Sequence, residues 1–473
     1  MKTNSIVRNI LFICVCACAI AFLSCEKSDV NKSDNNYVNS WIFTNMKHYY
    51  FWNEQIPSSP NMEQFPSDFF YSLLYKYREL DGDRFSWIQE NYVDLLESLS
   101  GVNSGDLGFE YVFHRYNNDK AFGEVLYVKP GTSAQTQGIK RGDVFLAIDG
   151  TEITVNNYSS LLQKESMTIT FVDPLLVGNT VSFSNERNIS ITKIKYTENP
   201  VFLDSIYEIN GKKVGYLVYN FFASDAGNNS AVYDKQLNSV FQNFQSAGVN
   251  NIIVDLRYNS GGSALSAARL ASMIVNPLNA ANIFYILTFN SNTEEEKQPF
   301  LLKIENERNN SISENINNIG GNLQKVCFIT GRWSASASEM LINGLEPFMS
   351  NKIIIVGDTT VGKSYASYSF YESNNPRNKW GMQPLIAMFT NGSGAEIPAT
   401  GIIPDYPLNE ILIMPKKQLG DTNEELLKSA LAAISGQPVT QKMEKNSMLE
   451  ENVIGTSINK KAYSNQAVLD DIK

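Results

Sequence analysis

The sequence predicts a multidomain α/β chain in which a small helical N-terminal domain and a β-rich domain precede a layered α/β core. Three changes of pattern along the 473 residues predict it. Between Val38 and Leu99 aromatic and apolar residues are dense, with Trp41, Met46, Tyr49 and Trp52 near helical spacing, and a second helix is expected over 67–78. From 105 to 192 apolar segments alternate along the chain. From about 196 strand and helix signals take turns: 213–219 reads as a strand, Leu237, Val240, Phe241 and Phe244 fall at i, i+3, i+4 and i+7 of a helix, and 251–256 is a buried strand. Strand, helix and strand in that order imply a parallel crossover unit.

Composition supports several folded parts. With 43% apolar and 11% aromatic residues the chain is globular, and it is longer than one hydrophobic core usually organises. The domains are placed at 37–100, 105–192 and 196–436, with a leader at 1–24, a polar tether at 25–36 and a tail at 437–473. Two more strands, 326–330 and 352–357, belong to the core, and a helix over 424–434 closes it. The stretch 290–322 has no period and reads as a surface excursion. A formal charge of −10 gives a nucleic-acid partner no electrostatic footprint.

The leader carries Lys2 and Arg8 before an unbroken apolar run from Leu11 to Leu23, too short to span a bilayer. Ser24-Cys25 follows at once. This resembles the lipobox of bacterial lipoproteins, although Phe22 stands where an aliphatic residue is usual. The resemblance implies a lipid anchor on Cys25 and a place in the bacterial cell envelope, with ordinary signal cleavage as the alternative. Removing 1–24 takes away two basic residues and leaves a charge of −12. Cys14, Cys16 and Cys18 leave with the leader, so Cys327 alone remains, expected as a buried hydrophobe. Two histidines, His48 and His114, are too few for a histidine-rich metal site, and neither lies beside a nucleophile motif. No cofactor is expected.

Within the β-rich part, Ala134 is followed by Gly138-Ile139-Lys140-Arg141-Gly142-Asp143 and an Asp149-Gly150 turn. The run resembles a PDZ domain in its bacterial protease form, in which an extended peptide adds to a sheet edge. The resemblance implies Leu107, Gly108 and Phe109 as the loop that receives a peptide carboxylate.

Three segments in the core carry chemistry. In Asp255-Leu256-Arg257-Tyr258-Asn259-Ser260-Gly261-Gly262, two glycines after a strand free backbone N–H groups for an oxyanion, or form an ordinary loop. Gly331-Arg332-Trp333-Ser334-Ala335-Ser336-Ala337-Ser338-Glu339 sets a hydroxyl at a helix start, either as nucleophile or as an N-cap with Glu339 completing a capping box. Gly357 through Gly362-Lys363-Ser364 matches the phosphate-loop spacing, so a nucleotide site is a further alternative.

The order of these segments downstream of a PDZ domain resembles the tail-specific, or C-terminal processing, serine peptidases over about 105–435. That resemblance implies a peptidase core of the crotonase-like layered type, Ser336 as nucleophile, Lys363 as general base, and the amides of Gly262 and Ala337 as oxyanion hole. A serine hydroxyl needs a neutral amine to take its proton. A lysine that ordinarily titrates near 10.4 must come down by about three pH units, some 4 kcal/mol, and burial must do it. Pairing with Asp358 would keep the amine charged. Many members carry Gln four residues after the lysine; this chain has Ser367, so Ser367 or Tyr365 is left to orient the amine. The activity implied is endoproteolysis of unfolded or C-terminally exposed polypeptides; a PDZ scaffold with a decayed site is the alternative.

Overall fold

The computed structural model describes residues 34–177, 180–291, 294–305, 312–439, 453–458 and 466–469. The leader, the tether up to 33 and Cys25 lie outside them. Among the described residues no helix is long and apolar enough to cross a membrane. The chain divides into two compact units, one of 1–93 with 290–293 and 369–386, the other holding the rest.

The first unit is built on a helix over 34–49. Val38, Ile42, Met46 and Tyr50 form its buried stripe, one position away from the Trp41 and Tyr49 expected to lead it. The helix expected over 67–78 ends early, at Pro66–Ser72. The reason is tertiary: Tyr75 N donates to Tyr50 Oη at 3.1 Å instead of to a helical carbonyl, and Tyr50 Oη donates to Asp83 at 2.8 Å. Lys76 and Arg78 then take positive φ.

In the second unit, the β-rich domain is an antiparallel sheet in which Phe109–Tyr116, Lys120–Val128, Val144–Ile148, Ser166–Val177 and Thr180–Thr192 follow one another. Leu107, Phe109, Phe113, Phe145 and Phe171 share its core. The core domain is a second sheet with the order Val201–Ile209, Lys212–Tyr219, Asn251–Asp255, Lys325–Thr330, Ile353–Gly357 and Tyr406–Pro407, parallel except at its first pair. Each expected strand is present within a residue or two. Alternating side chains cover both faces. Tyr216, Ile253, Cys327 and Val356 pack under the Glu425–Ser435 helix. On the opposite face, Gly215 has no Cβ, and the Phe244 ring of the Val232–Ala247 helix lies against it. Burial pushes the Cys327 thiol up, as befits an apolar residue. The span 290–322 contributes Glu296–Pro299 to a further sheet and a small hairpin, Lys303–Glu305 with Ser313–Asn315.

A buried charge network joins the two domains of this unit. Arg257, fully buried, meets Asp255 at 2.7 Å, Glu424 at 2.7 Å and Glu410 at 2.9 Å. From the β-rich domain Arg141 also reaches Glu410, and it donates to Lys417 O at 2.7 Å. Tyr258 Oη donates to Glu410 at 2.8 Å. Burial alone would raise the Glu410 carboxyl, but Arg141 and Arg257 hold it well below the usual carboxylate range.

Two outcomes follow from this network. Arg257→Leu leaves three buried carboxylates short of a partner and should cost about 3–5 kcal/mol, read from urea unfolding. A carboxyl with a lowered pKa stabilises the fold above its ordinary value of 4.5, and that stability is lost as the pH falls below it. The urea midpoint of Glu410→Gln should therefore fall less steeply than that of the parent chain between about pH 6 and pH 3.

Candidate active site

Parallel register brings the three chemistry-bearing segments together. Asn251–Asp255 pairs with Lys325–Thr330, and that strand with Ile353–Gly357, so the carboxyl ends of three strands lie side by side, where open α/β sheets place their sites. Long-range hydrogen bonds then knit the loops. Ser334 Oγ donates to Leu256 O at 2.7 Å, Ser338 Oγ to Asn259 O at 2.9 Å, and Val361 N to Ser334 O at 3.0 Å. Asn259 also accepts from Gly261 N at 3.0 Å, which fixes the double-glycine turn.

Ser336 sits at the entrance of the Ala337–Met349 helix with φ 60° and ψ −110°. Such a backbone is strained for a residue with a side chain and is characteristic of sites that over-determine one residue. Its Oγ is buried and has no hydrogen-bond partner, so no hydrogen bond joins it to Lys363 in this conformation. Ser336 and Glu339 hold capping-box positions. The Glu339 half is made, with Oε2 accepting from Ser336 N at 2.7 Å.

Glu339 does more than cap. The same carboxylate accepts from Lys363 N at 3.0 Å, Gly362 N at 2.7 Å and the Thr360 hydroxyl. Four donors from two loops thus converge on one buried side chain. Burial raises its carboxyl above the usual range, against these donors, which favour the anion. The sequence had offered Glu339 only as a local cap and had not singled out Thr360.

The remaining expected residues fall as follows. Ala337 is the first residue of the helix, where a backbone N–H has no intrahelical acceptor, and Ala337 and Gly262 are both buried. Lys363 is 0% exposed, and Asp358 faces Arg332 Nε at 3.9 Å. Ser367 is fully buried and Tyr365 partly so, both on the strand Tyr365–Ser367. That strand removes the nucleotide alternative, because a phosphate loop must open a helix whose N-terminus meets the phosphates. Here the Lys363-Ser364 pair enters a strand, and the Ser364 hydroxyl donates to Ile397 O at 2.7 Å. In the β-rich domain Leu107 and Phe109 are core residues, and Gly108 N donates to Asp106 at 2.7 Å within its own loop. His114 lies buried there, 3.2 Å from Glu124, and burial lowers its pKa. Among the described residues no cluster of His, Cys, Asp and Glu fits a metal ion.

Comparison with known proteins agrees with this arrangement. Residues 213–408 match peptidase family S41, 37–87 the peptidase S41 N-terminal domain, and 124–173 the PDZ domain. The chain thus carries a peptidase S41 domain behind a PDZ domain. A carboxyl-terminal-processing protease of the cyanobacterium Picosynechococcus is 25% identical over 353 residues, covering 72% of this chain and 74% of the relative. A chloroplastic C-terminal processing peptidase of Tetradesmus obliquus is 24% identical, and the match spans 60% of this chain and 56% of that one. Among solved structures, one assigned to the S41 proteases, from Bacteroides fragilis, shares 27% identity at a TM-score of 0.69, covering 84% of this chain and 97% of its own.

In this S41 peptidase Glu339→Ala leaves the four donors unpaired. At about 1–3 kcal/mol for each buried unsatisfied group, a loss of several kcal/mol is expected in urea unfolding, with turnover abolished. Ser336→Gly relieves the backbone strain at some cost in chain entropy, so it should unfold about 1 kcal/mol later than Ser336→Ala, measured in the same titration.

Proposed function

We propose that this S41 peptidase is a serine endopeptidase in which Ser336 attacks the peptide carbonyl, Lys363 takes its proton, and the amides of Gly262 and Ala337 hold the oxyanion. The observation that carries the reading is the unbonded, buried Ser336 Oγ on strained backbone at a helix N-terminus, where the adjacent Ala337 N–H has no acceptor within the helix. Full burial of Lys363 supplies the physical means of lowering an amine pKa, and the donors on Glu339 bring its loop to the Ser336 loop. Ser336 and Lys363 close to hydrogen-bonding distance when a substrate is bound, as apo catalytic contacts commonly do. Ser367 and Tyr365, following Lys363 in one strand, are the candidates to orient its amine.

The substrates are polypeptides presented in extended form, with the PDZ domain gating entry; the processing function named for the Picosynechococcus relative is in keeping with this. Lipidation at Cys25 would tether the enzyme in the bacterial cell envelope.

The test is turnover of denatured casein. Ser336→Ala and Lys363→Ala should each lower kcat by at least about 10³-fold. Lys363→Arg keeps the charge but stays protonated and cannot take the serine proton, so it should be equally inactive, and the parent rate should rise with pH as the amine becomes neutral. Unchanged turnover in Ser336→Ala and Lys363→Ala ends the dyad proposal, and no turnover by the parent chain leaves a peptide-holding scaffold.

A further inference from the structure

Two strands from late in the sequence, where a tail was expected, lie in the places a polypeptide substrate would take. Val453–Thr456 adds antiparallel to Phe109–Tyr116, the strand that follows the 107–109 loop, with Val453 opposite His114 and Thr456 opposite Val112. Ser457 N continues the pairing to Tyr111 O at 3.0 Å, and Tyr111 N donates to Ser457 Oγ at 2.8 Å. On its other side, the short Tyr158–Leu161 helix offers Tyr158 Oη, which donates to Ile454 O at 2.9 Å, while Ile454 packs on the domain core. A peptide extended between a sheet edge and a helix is the PDZ binding mode. Ile458, 0% exposed, then plugs a cluster of Tyr127, Tyr258, Trp333 and Ile411 between the PDZ domain and the peptidase core.

Gln466–Val468 occupies a second position, between Gly261–Ser263 and Tyr365–Ser367 and parallel to both. Ala467 is opposite Gly262 on one side and Ala366 on the other, and Leu469 N donates to Ser367 O at 2.9 Å. Gly261 O and Ser263 N are both spent on Phe222, at 2.9 and 2.8 Å. Successive backbone groups of a strand point to opposite sides, so the Gly262 N–H is aimed at the inserted strand. The amide assigned to the oxyanion therefore faces a segment of the same chain.

We infer, on the peptidase reading of Ser336 and Lys363, that the segments 453–458 and 466–469 are a tethered competitor that fills both halves of the substrate track, the PDZ groove and the strand slot between Gly262 and Ser367. A tethered ligand competes at an effective concentration on the order of millimolar. A short peptide that fills one half at micromolar concentration does not displace it. An unfolded chain long enough to engage both halves gains the same advantage and does. Recognition in the slot is made by backbone on both sides, so the selected class is extended polypeptide of broad sequence.

Two variants of the full chain test this, both outside the catalytic machinery. Ala467→Pro removes an N–H and cannot lie between two strands. Ile458→Asp expels the plug. Initial rates on denatured casein should rise in both, about tenfold if the track is filled nine-tenths of the time. A synthetic peptide of sequence 453–469 at millimolar concentration should suppress the gain. Hydrogen exchange on the Ser336→Ala form reads occupancy without turnover: amides of 453–457 and 466–469 should be protected, and released by saturating denatured casein. Equal, measurable rates in parent and variants overturn the competitor and leave the peptidase standing. Rapid exchange of those amides in the parent, or no release by casein, overturns it whatever the rates. Protected, casein-released amides with no turnover in any form support the occupied track and overturn the peptidase reading instead.

Discussion

One buried carboxylate organises this site. Glu339 accepts from Ser336 N, Lys363 N, Gly362 N and the Thr360 hydroxyl, so the loop that carries the candidate nucleophile and the loop that carries the candidate base are fastened to the same two oxygen atoms. An ionised carboxylate accepts at four lone-pair sites and donates nothing, which suits it to gathering backbone N–H groups that neither a helix nor a strand can satisfy. Its position three residues into the helix is fixed by the capping geometry. The helix start thereby dictates where the lysine loop must run. Because the bonds to that loop are made by backbone N–H groups and by Thr360, they set the path of the main chain.

A second constraint acts one layer away. The strand that ends in Asp255 continues directly into Arg257, Tyr258, Asn259 and the double glycine, and Arg257 is locked by Asp255, Glu410 and Glu424. Arg141, on the PDZ domain, touches Glu410 as well. An ionic network of this kind is seldom a net source of stability compared with apolar packing, since desolvation offsets most of the attraction. Its value is directional: Glu410 ties Arg141 of the PDZ domain to Arg257, which stands two residues before Asn259 and five before Gly262. The PDZ domain and the double-glycine turn are thus linked through one set of buried charges.

How much of this was legible in the sequence depended on how local each interaction is. The strands 213–219, 251–256, 326–330 and 352–357 were legible because runs of β-branched and apolar residues need no distant partner to be recognised, and the i, i+3, i+4 spacing of Leu237, Val240, Phe241 and Phe244 marks a helix by itself. The convergence of Gly262, Ser336 and Lys363 on neighbouring strand ends follows from parallel register, so the order of motifs was enough. Glu339 was visible only as a cap, because its bonds to 360–363 close over more than twenty residues. The helix expected to reach Arg78 stopped at Ser72 because Tyr50, far back in the chain, takes the amide of Tyr75. The strands at 453–456 and 466–468 were missed because both are short and carry no periodic pattern; each is a strand by virtue of the edges it joins.

Those borrowed edges bear on the state of the site. Strain at Ser336 costs about 1–3 kcal/mol and persists only where surroundings over-determine it. Here they do: Glu339 holds its amide, and Ala335 N is tied to Asn259 O at 3.3 Å immediately before it. The hydroxyl is therefore held in one place by backbone alone, and the proposed dyad requires in addition the approach of the lysine amine. With Gly262 facing Ala467 and Ser367 accepting from Leu469, the strand after Lys363 is braced by the same segment that lies against the double-glycine turn. A substrate entering between Gly261–Ser263 and Tyr365–Ser367 must replace that brace with its own backbone. On the proposed reading, the step that admits the substrate is also the step that re-forms the strand next to Lys363, which would couple occupancy of the slot to the position of the candidate base.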